Sequence, residues 1–499
     1  LTTERLVKWI TFLAVFAMAA RISVDTDTWW HLRAGAWILE NMAVPQVDLF
    51  SYTRYGELWQ YPGWIVEVPM YVIYRTLGPG GLNLWTAAMV TITFWFVWQT
   101  LSGGPFLRAF VIVLAAAASG VYWAARPYLV TFLLAAVFLW ILEDYRWRRI
   151  RLRSWRVWLL PILMILWANS HGGFAIGFLI WGVYFIWELG VVGWQGFKGR
   201  RESGSQSSLV NYWRVIRLGL VGLLMVLAVM INPSGPVMLL YPIKTIGIGS
   251  LQDYIQEWQS PNFHFLSVQP FAWLILLTFA AVGASRRRIA FTDFALSAGF
   301  VFMGLIAGRN IALFALVAPM VITRHLSPIA SVIGRQFGLK AISTQPTKGF
   351  RSFLNIAILI LLASAVVFKI SLIYPKSANE EVFRELLPVE AVAFIKEEKP
   401  PGRLFNSYNW GGYLLWALPE YPVFIDGRTD LFSDEVIEEW IQVMRVEEGW
   451  SGVLESYSVY LVFVETDSTL DKTLLSHVDW DLRYKDDIAV IYQKKQEHH

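Results

Sequence analysis

The sequence predicts a polytopic α-helical membrane protein of about eleven transmembrane helices, followed by a C-terminal extracytoplasmic α/β domain. Three observations carry that reading. Of 499 residues, 56% are hydrophobic and only 16% charged, against about 45–50% and about 25% in soluble globular domains. Apolar runs long enough to cross a bilayer recur up to residue 374 and then stop. The 26 Trp, 20 Tyr and 32 Phe fit a chain with many lipid–water boundaries, where aromatic belts form. The net charge of +4 sits in clusters rather than in a basic stripe, which argues for no nucleic acid partner. Without cysteine, the chain has no disulfide framework, thiolate nucleophile or Cys-based metal site.

The predicted spans fall at 6–22, 81–101, 106–123, 127–143, 157–170, 174–194, 215–231, 269–284, 289–307, 310–323 and 353–374. Residues 9–20, with Ala17-Met18-Ala19, also have the form of a cleavable signal peptide, although the later spans commit the chain to the membrane either way. The basic segments Arg146–Arg151, Lys198–Arg201, Arg286–Arg288 and 324–351 all fall on the side of Arg5 and Lys8. The excess of Lys and Arg makes that side cytoplasmic. Residues 23–80, Arg126, 169–173, 232–268, Arg309-Asn310 and the chain after about 375 are then outside.

The outer loop 23–80 reads as two interfacial helices. Trp30, Ala34, Trp37 and Ile38 recur at helical spacing over 27–41, with Asp27 or Thr28 as N-cap. A second helix runs from Trp64 to Arg75, opened by Pro62-Gly63. The membrane part is therefore 1–374 and the soluble domain 375–499. In the latter, strands are expected at 403–405, 422–425, 459–464, 481–484 and 488–493, the last two forming a hairpin near Asp486-Asp487. Helical patterns cover 380–396, 412–418 and 433–446.

The residues that carry chemistry gather on the outer side. Asp25 and Asp27 follow directly on the first span, where a charge is costly unless hydrated or used. One carboxylate can act as general base toward a hydroxyl, while the other orients it or holds a divalent ion. His31 lies one helical turn after Asp27. The plain alternative is a capped helix anchored by its tryptophans. Arg126 and Arg309 stand between spans on the outer side, against the usual bias, and a guanidinium fork suits phosphate; snorkelling toward headgroups is the alternative. Asn169-Ser170-His171-Gly172-Gly173 is either a substrate-approach loop or a tight turn, and Asn310 adjoins Arg309. Glu67, in an apolar run, is a second acid or base, or a buried partner of an arginine. Glu257 and His264 are weaker candidates in the loop 232–268. Asp426, Arg428 and Asp430 follow an expected strand and either touch a substrate or form an ion pair.

The stretch Asp25-Thr26-Asp27-Thr28-Trp29-Trp30-His31-Leu32-Arg33-Ala34-Gly35 resembles a bacterial membrane-protein group with a DxDxWWHLRxG motif. Asp48–Thr53, Trp410–Tyr413 and Phe424–Arg428 resemble the same group. The layout as a whole resembles the C-type (GT-C) membrane glycosyltransferase superfamily. That resemblance implies a glycosyltransferase that uses a polyprenyl-phosphate-linked sugar donor on the outer face of the bacterial inner membrane. The acceptor would be a hydroxyl on a glycan, lipid or protein, and inversion is the usual outcome. It makes Asp25 or Asp27 the catalytic base and leaves open a divalent metal, Mg or Mn, on Asp25, Asp27 and His31. His31, Glu67, Arg126, Asn169, His171, Arg309, Asn310, Asp426 and Arg428 are the expected substrate-binding residues. The alternatives are a non-catalytic membrane scaffold that retains the fold and a polymerase or ligase of lipid-linked glycans.

Overall fold

A computed structural model describes residues 2–147, 152–199, 206–249, 254–337 and 348–495. A helix stands at each of the expected spans. The first eight helices are α1 (Thr3–Ala19), α2 (Asp27–Asn41), α3 (Trp64–Trp98), α4 (Pro105–Ser119), α5 (Tyr128–Trp147), α6 (Leu159–Ala168), α7 (Ala175–Gly199) and α8 (Gln206–Val229). The later ones are Gln269–Ala284, Phe291–Ile306, Ile311–Gln336 and Phe350–Ile373. Among the described residues, seven helical segments are long and apolar enough to cross a membrane, and Trp155–Ala168, Gln269–Ala284 and Phe291–Ile306 are apolar but shorter.

Two boundaries depart from expectation. The second interfacial helix and the following span are continuous as α3, broken only at Gly78, whose φ of 67° lets the chain change direction without a loop. The span expected at 310–323 continues to Gln336. The charged pair Arg324-His325 reads as its end, but Arg324 is buried against Glu143 and 2.5 Å from Asp293, so its charge is neutralised where it lies. The interior between spans is aromatic and closely packed: Phe94 meets Phe132 edge-on at 5.7 Å, and Phe138 meets Trp167 at 5.1 Å.

The C-terminal part carries one four-stranded sheet in the order β1 (Arg403–Asn406), β2 (Val459–Glu465), β4 (Ala489–Lys494), β3 (Trp480–Lys485). β1 and β2 are parallel, joined by helical crossovers, and β3–β4 is an antiparallel hairpin. The run 422–425 is not a strand of this sheet, contrary to its pattern. Val423, Phe424 and Ile425 are fully buried, which is what makes the run look like a strand. Their backbone partners come from elsewhere. The Asn406 side chain receives Phe424 N–H and donates to the Ile425 carbonyl, both at 2.8 Å. Val423 instead bridges to Ser51 of the loop between α2 and α3.

Two glycines set how closely the C-terminal part meets the Asp25–Asp27 segment. A Cβ on Gly412 would run into the Thr26 carbonyl, and one on Gly427 into the Asp27 carboxylate. Glycine at both positions lets the chain after β1 lie directly against the start of α2.

Candidate active site

The site begins where α1 ends. The N-cap of α2 is Thr26, not Asp27 or Thr28, and it makes no side-chain capping bond. Asp25 does the capping instead: its Oδ1 accepts from Asp27 N–H at 2.9 Å. That leaves Asp25 Oδ2 and the Asp27 carboxylate facing Arg126, which stands between the short turn after α4 and the start of α5. Arg126 Nη1 lies 3.3 Å from Asp25 Oδ2, and Nη2 lies 3.0 Å from Asp27 Oδ2. Glu257, from the loop after α8, completes the cluster at 3.1 Å from Arg126 Nη1. Its other oxygen is 3.3 Å from Arg309 Nη1. Arg309 in turn lies over the Trp258 ring at 4.3 Å, and Tyr128 donates to its carbonyl at 2.9 Å.

Two cavities adjoin this cluster. The larger, about 830 Å³, runs past Asp25, Asp27, His31, His171 and Asn310, and one wall is apolar, with Phe302, Met303 and Ile306. The smaller, about 430 Å³, is bounded by Arg21, Ser23, Tyr122 and Trp123. Asp25, Arg126, Tyr128, Glu257 and Arg309 line both. The charged cluster is therefore the partition between two spaces.

Burial tunes the partition unequally. Burial raises the Asp27 carboxyl to about 7, because it and the neighbouring Asp25 and Glu257 charges outweigh the pull of Arg126. Burial also pushes Glu257 upward, but Arg126 and Arg309 together overcome it and hold this carboxyl at about 2. His171 is brought down to about 3 by burial and by the same two arginines, so it is neutral at physiological pH. Its tautomer follows from its neighbours. Nδ1 accepts Gly173 N–H at 3.0 Å, so it carries no proton, and it contacts Thr131 Oγ1 at 2.8 Å, which also accepts from Trp167 Nε1. The Thr131 hydroxyl therefore donates to Nδ1, and the proton of the ring sits on Nε2.

Of the residues singled out in the sequence, Asp25, Asp27, His31, Glu67, Arg126, His171, Arg309 and Asn310 line the larger cavity. Glu67 is fully buried and pairs with His31 Nδ1 at 2.5 Å rather than with an arginine. Four others do not reach the cavity. Asn169 bridges α6, the start of α3 and the end of α8 through Trp64 Nε1, Asn232 and the Ile231 carbonyl. Arg428 is buried in an ion triple with Asp426 and Asp48, which accounts for both residues as a structural lock. Asp430, beside them in sequence, does line the cavity and accepts from the Tyr241 hydroxyl at 3.1 Å. His264 is exposed and outside it. Tyr128 and Trp258 were not foreseen, since an aromatic residue in an aromatic-rich chain carries no signal of its own.

The metal set of Asp25, Asp27 and His31 does not form. His31 Nδ1 is taken by Glu67, and both aspartates are turned to a guanidinium. Among the described residues, no three His, Asp or Glu side chains come together in a way that could hold a metal ion.

The fold and this site describe an integral membrane protein with its charged centre between the first loop, the spans and the C-terminal part. Among solved structures, the chain is similar to the archaeal oligosaccharyltransferase AglB from Archaeoglobus fulgidus in complex with an inhibitory peptide and a dolichol-phosphate. The TM-score is 0.58 at 12% identity, covering 99% of this chain and 75% of that one. An Archaeoglobus fulgidus oligosaccharyltransferase in complex with Zn and sulfate matches with a TM-score of 0.52 at 13% identity, covering 92% and 68%. ArnT from Cupriavidus metallidurans bound to undecaprenyl phosphate matches at 0.49 and 15% identity, covering 98% and 97%. At such identities the likeness is one of fold. No protein-family model and no curated protein sequence matches the chain.

Proposed function

We propose that the protein is a glycosyltransferase that moves a sugar from a polyprenyl-phosphate donor to an acceptor hydroxyl on the outer face of the membrane. The observation that carries this reading is the open space that Asp25 and Arg309 line on both sides of the charged cluster. A scaffold that kept only the fold would have side chains filling it, whereas two cavities of about 830 and 430 Å³ meet there. The AglB structure with dolichol-phosphate supports a lipid-phosphate ligand for this architecture.

In this reading the donor phosphate meets Arg309, which among the described residues has a single carboxylate partner in Glu257, rather than Arg126, which has three. The isoprenoid lies along the apolar wall at Phe302, Met303 and Ile306. The acceptor hydroxyl approaches Asp25 Oδ2 and gives it its proton as the oxygen attacks the anomeric carbon. The bond from that carbon to the phosphate oxygen breaks, and polyprenyl phosphate leaves with its charge stabilised by Arg309. Neutral His171 offers Nε2–H as a fixed donor to the sugar or the phosphate. Tyr408 and Asp430 close the cavity from the C-terminal side.

Asp25→Asn tests the assignment. The amide oxygen still caps α2, so the protein folds and inserts, but no carboxylate remains to take the proton. With purified protein in liposomes and a panel of polyprenyl-phosphate sugars, release of polyprenyl phosphate should fall by about 10²–10⁴-fold, the range general-base catalysis supplies. Undiminished turnover by this variant would end the case for Asp25 as base.

A further inference from the structure

We infer that the Arg126 guanidinium is the built-in cation of this site, standing where three outer-face carboxylates would otherwise require a divalent metal ion. The inference concerns the acidic centre itself and does not depend on which group the protein transfers.

Asp25, Asp27 and Glu257 come from two segments more than two hundred residues apart and point at one place. Three carboxylates so close repel one another unless a cation lies between them. Arg126 supplies it with both ends of its fork: Nη1 contacts Asp25 at 3.3 Å and Glu257 at 3.1 Å, and Nη2 contacts Asp27 at 3.0 Å. Nη2 also donates to the second Glu257 oxygen at 3.4 Å. Each acid is thus oriented toward guanidinium nitrogens, and its oxygens are spaced for N–H donors. A metal ion would need them about 2.0–2.6 Å from a common centre. The guanidinium is planar and permanently charged, so it holds this geometry at any physiological pH.

The charge arithmetic agrees. With all three acids ionised, the carboxylates carry −3 and Arg309 contributes +1, leaving −2 without Arg126, the charge one divalent ion neutralises. With Arg126 in place the balance is −1. The residue is also held by its backbone: its N–H donates to Ala124 at 2.8 Å and its carbonyl receives Leu129 N–H at 3.1 Å, so the first turn of α5 fixes it.

The test is titration of Mn²⁺, a hard ion suited to oxygen ligands, into the full-length protein in detergent without substrate. The six-line electron paramagnetic resonance signal of free Mn²⁺ reports what remains unbound. Wild-type protein should leave that signal unchanged at stoichiometric concentrations. Arg126→Ala should bind one ion per chain at least tenfold more tightly than wild type, and the double variant Arg126→Ala/Asp25→Asn should lose it again. A wild-type protein that binds one Mn²⁺ in a manner abolished by Asp25→Asn overturns the inference, and that measurement needs no Arg126 variant. A folded Arg126→Ala protein that takes up no more Mn²⁺ than wild type overturns it too. None of these readings uses sugar transfer, so the inference and the proposed reaction fail separately.

Discussion

Replacing Arg428 by Met separates its two possible roles, lock and ligand contact. Its side chain is fully buried. Nε and Nη2 grip Asp426 at 2.7–3.1 Å, and Nη1 reaches Asp48 at 2.5 Å. Methionine matches much of the volume but leaves two buried carboxylates facing no cation. Breaking a buried pair in this way costs about 3–5 kcal/mol. At 1.36 kcal/mol per decade, that is about a hundred- to a few-thousand-fold more of the opened form. The two acids do not suffer equally. Asp48 keeps Phe50 N–H, Ser51 N–H and the Ser51 hydroxyl, whereas among the described residues Asp426 keeps only the amide of residue 428. Adding Asp426→Asn should therefore restore much of the loss.

Hydrogen exchange reads the result where the lock acts. Tyr52 N–H donates to the Val423 carbonyl at 3.1 Å, and Val423 N–H to the Phe50 carbonyl at 3.2 Å, joining the first loop to the C-terminal part. In Arg428→Met, peptides containing these amides should exchange faster by the factor above. The double variant with Asp426→Asn should lie between it and wild type. Exchange within threefold of wild type would refute the lock. If transfer were nevertheless lost, Arg428 would be a substrate contact after all.

Gly427→Ala should reduce transfer by about 10²-fold or more, the effect of shifting a reacting group by about 1 Å, because its Cβ would meet the Asp27 carboxylate. Gly283→Ala, with open space around it, should leave turnover unchanged in the same liposome assay. The Asp27 carboxyl, raised to about 7 from 3.8, holds its proton in the folded protein over a range where the unfolded chain has lost it. Stability should therefore fall as pH rises toward about 7. Glu257, held at about 2 against 4.5 in the unfolded chain, gives the opposite slope below about pH 5 and none above it, so the Asp27 effect is read over pH 5–7. Donor affinity should weaken over pH 6–8 as Asp27 gains charge beside the phosphate, and Asp27→Asn should flatten that dependence in a lipid-binding titration. A variant as pH-sensitive as wild type would remove Asp27 as the titrating group.

What was legible in the sequence follows from where energy penalties are large. Asp25, Asp27, Arg126 and Arg309 stand out because a charge at the end of a span, or a cation on the outer side, is costly without a purpose. Glu257 was barely visible, since an acid in a long polar loop carries no such penalty until the fold brings it to Arg126. Asn169 misled for the opposite reason. A polar residue in an outward turn has the same pattern whether it binds a ligand or stitches three helices together. The run 422–425 looked like a strand because a continuous apolar run is blind to what fills the backbone bonds. Here an asparagine side chain and a loop fill them.

The division between membrane part and C-terminal part, natural from composition, runs through the site itself. Tyr408, Gly427 and Asp430 form one side of the cavity whose other side holds Asp27, His31 and His171. Two of the sequence patterns after β1 are explained by that contact rather than by chemistry. Gly412 and Gly427 are small where the chain touches Thr26 and Asp27, and Arg428 is buried where it meets Asp48. Asp48 lies 380 positions earlier in the chain, too far for any local pattern to reveal the pairing. The motif segment is therefore pressed between the segment just before α5, which brings Arg126, and the C-terminal part, which brings Gly427. A change on either side should reach Asp25 and Asp27 through displaced carboxylates, before it is felt as lost stability elsewhere.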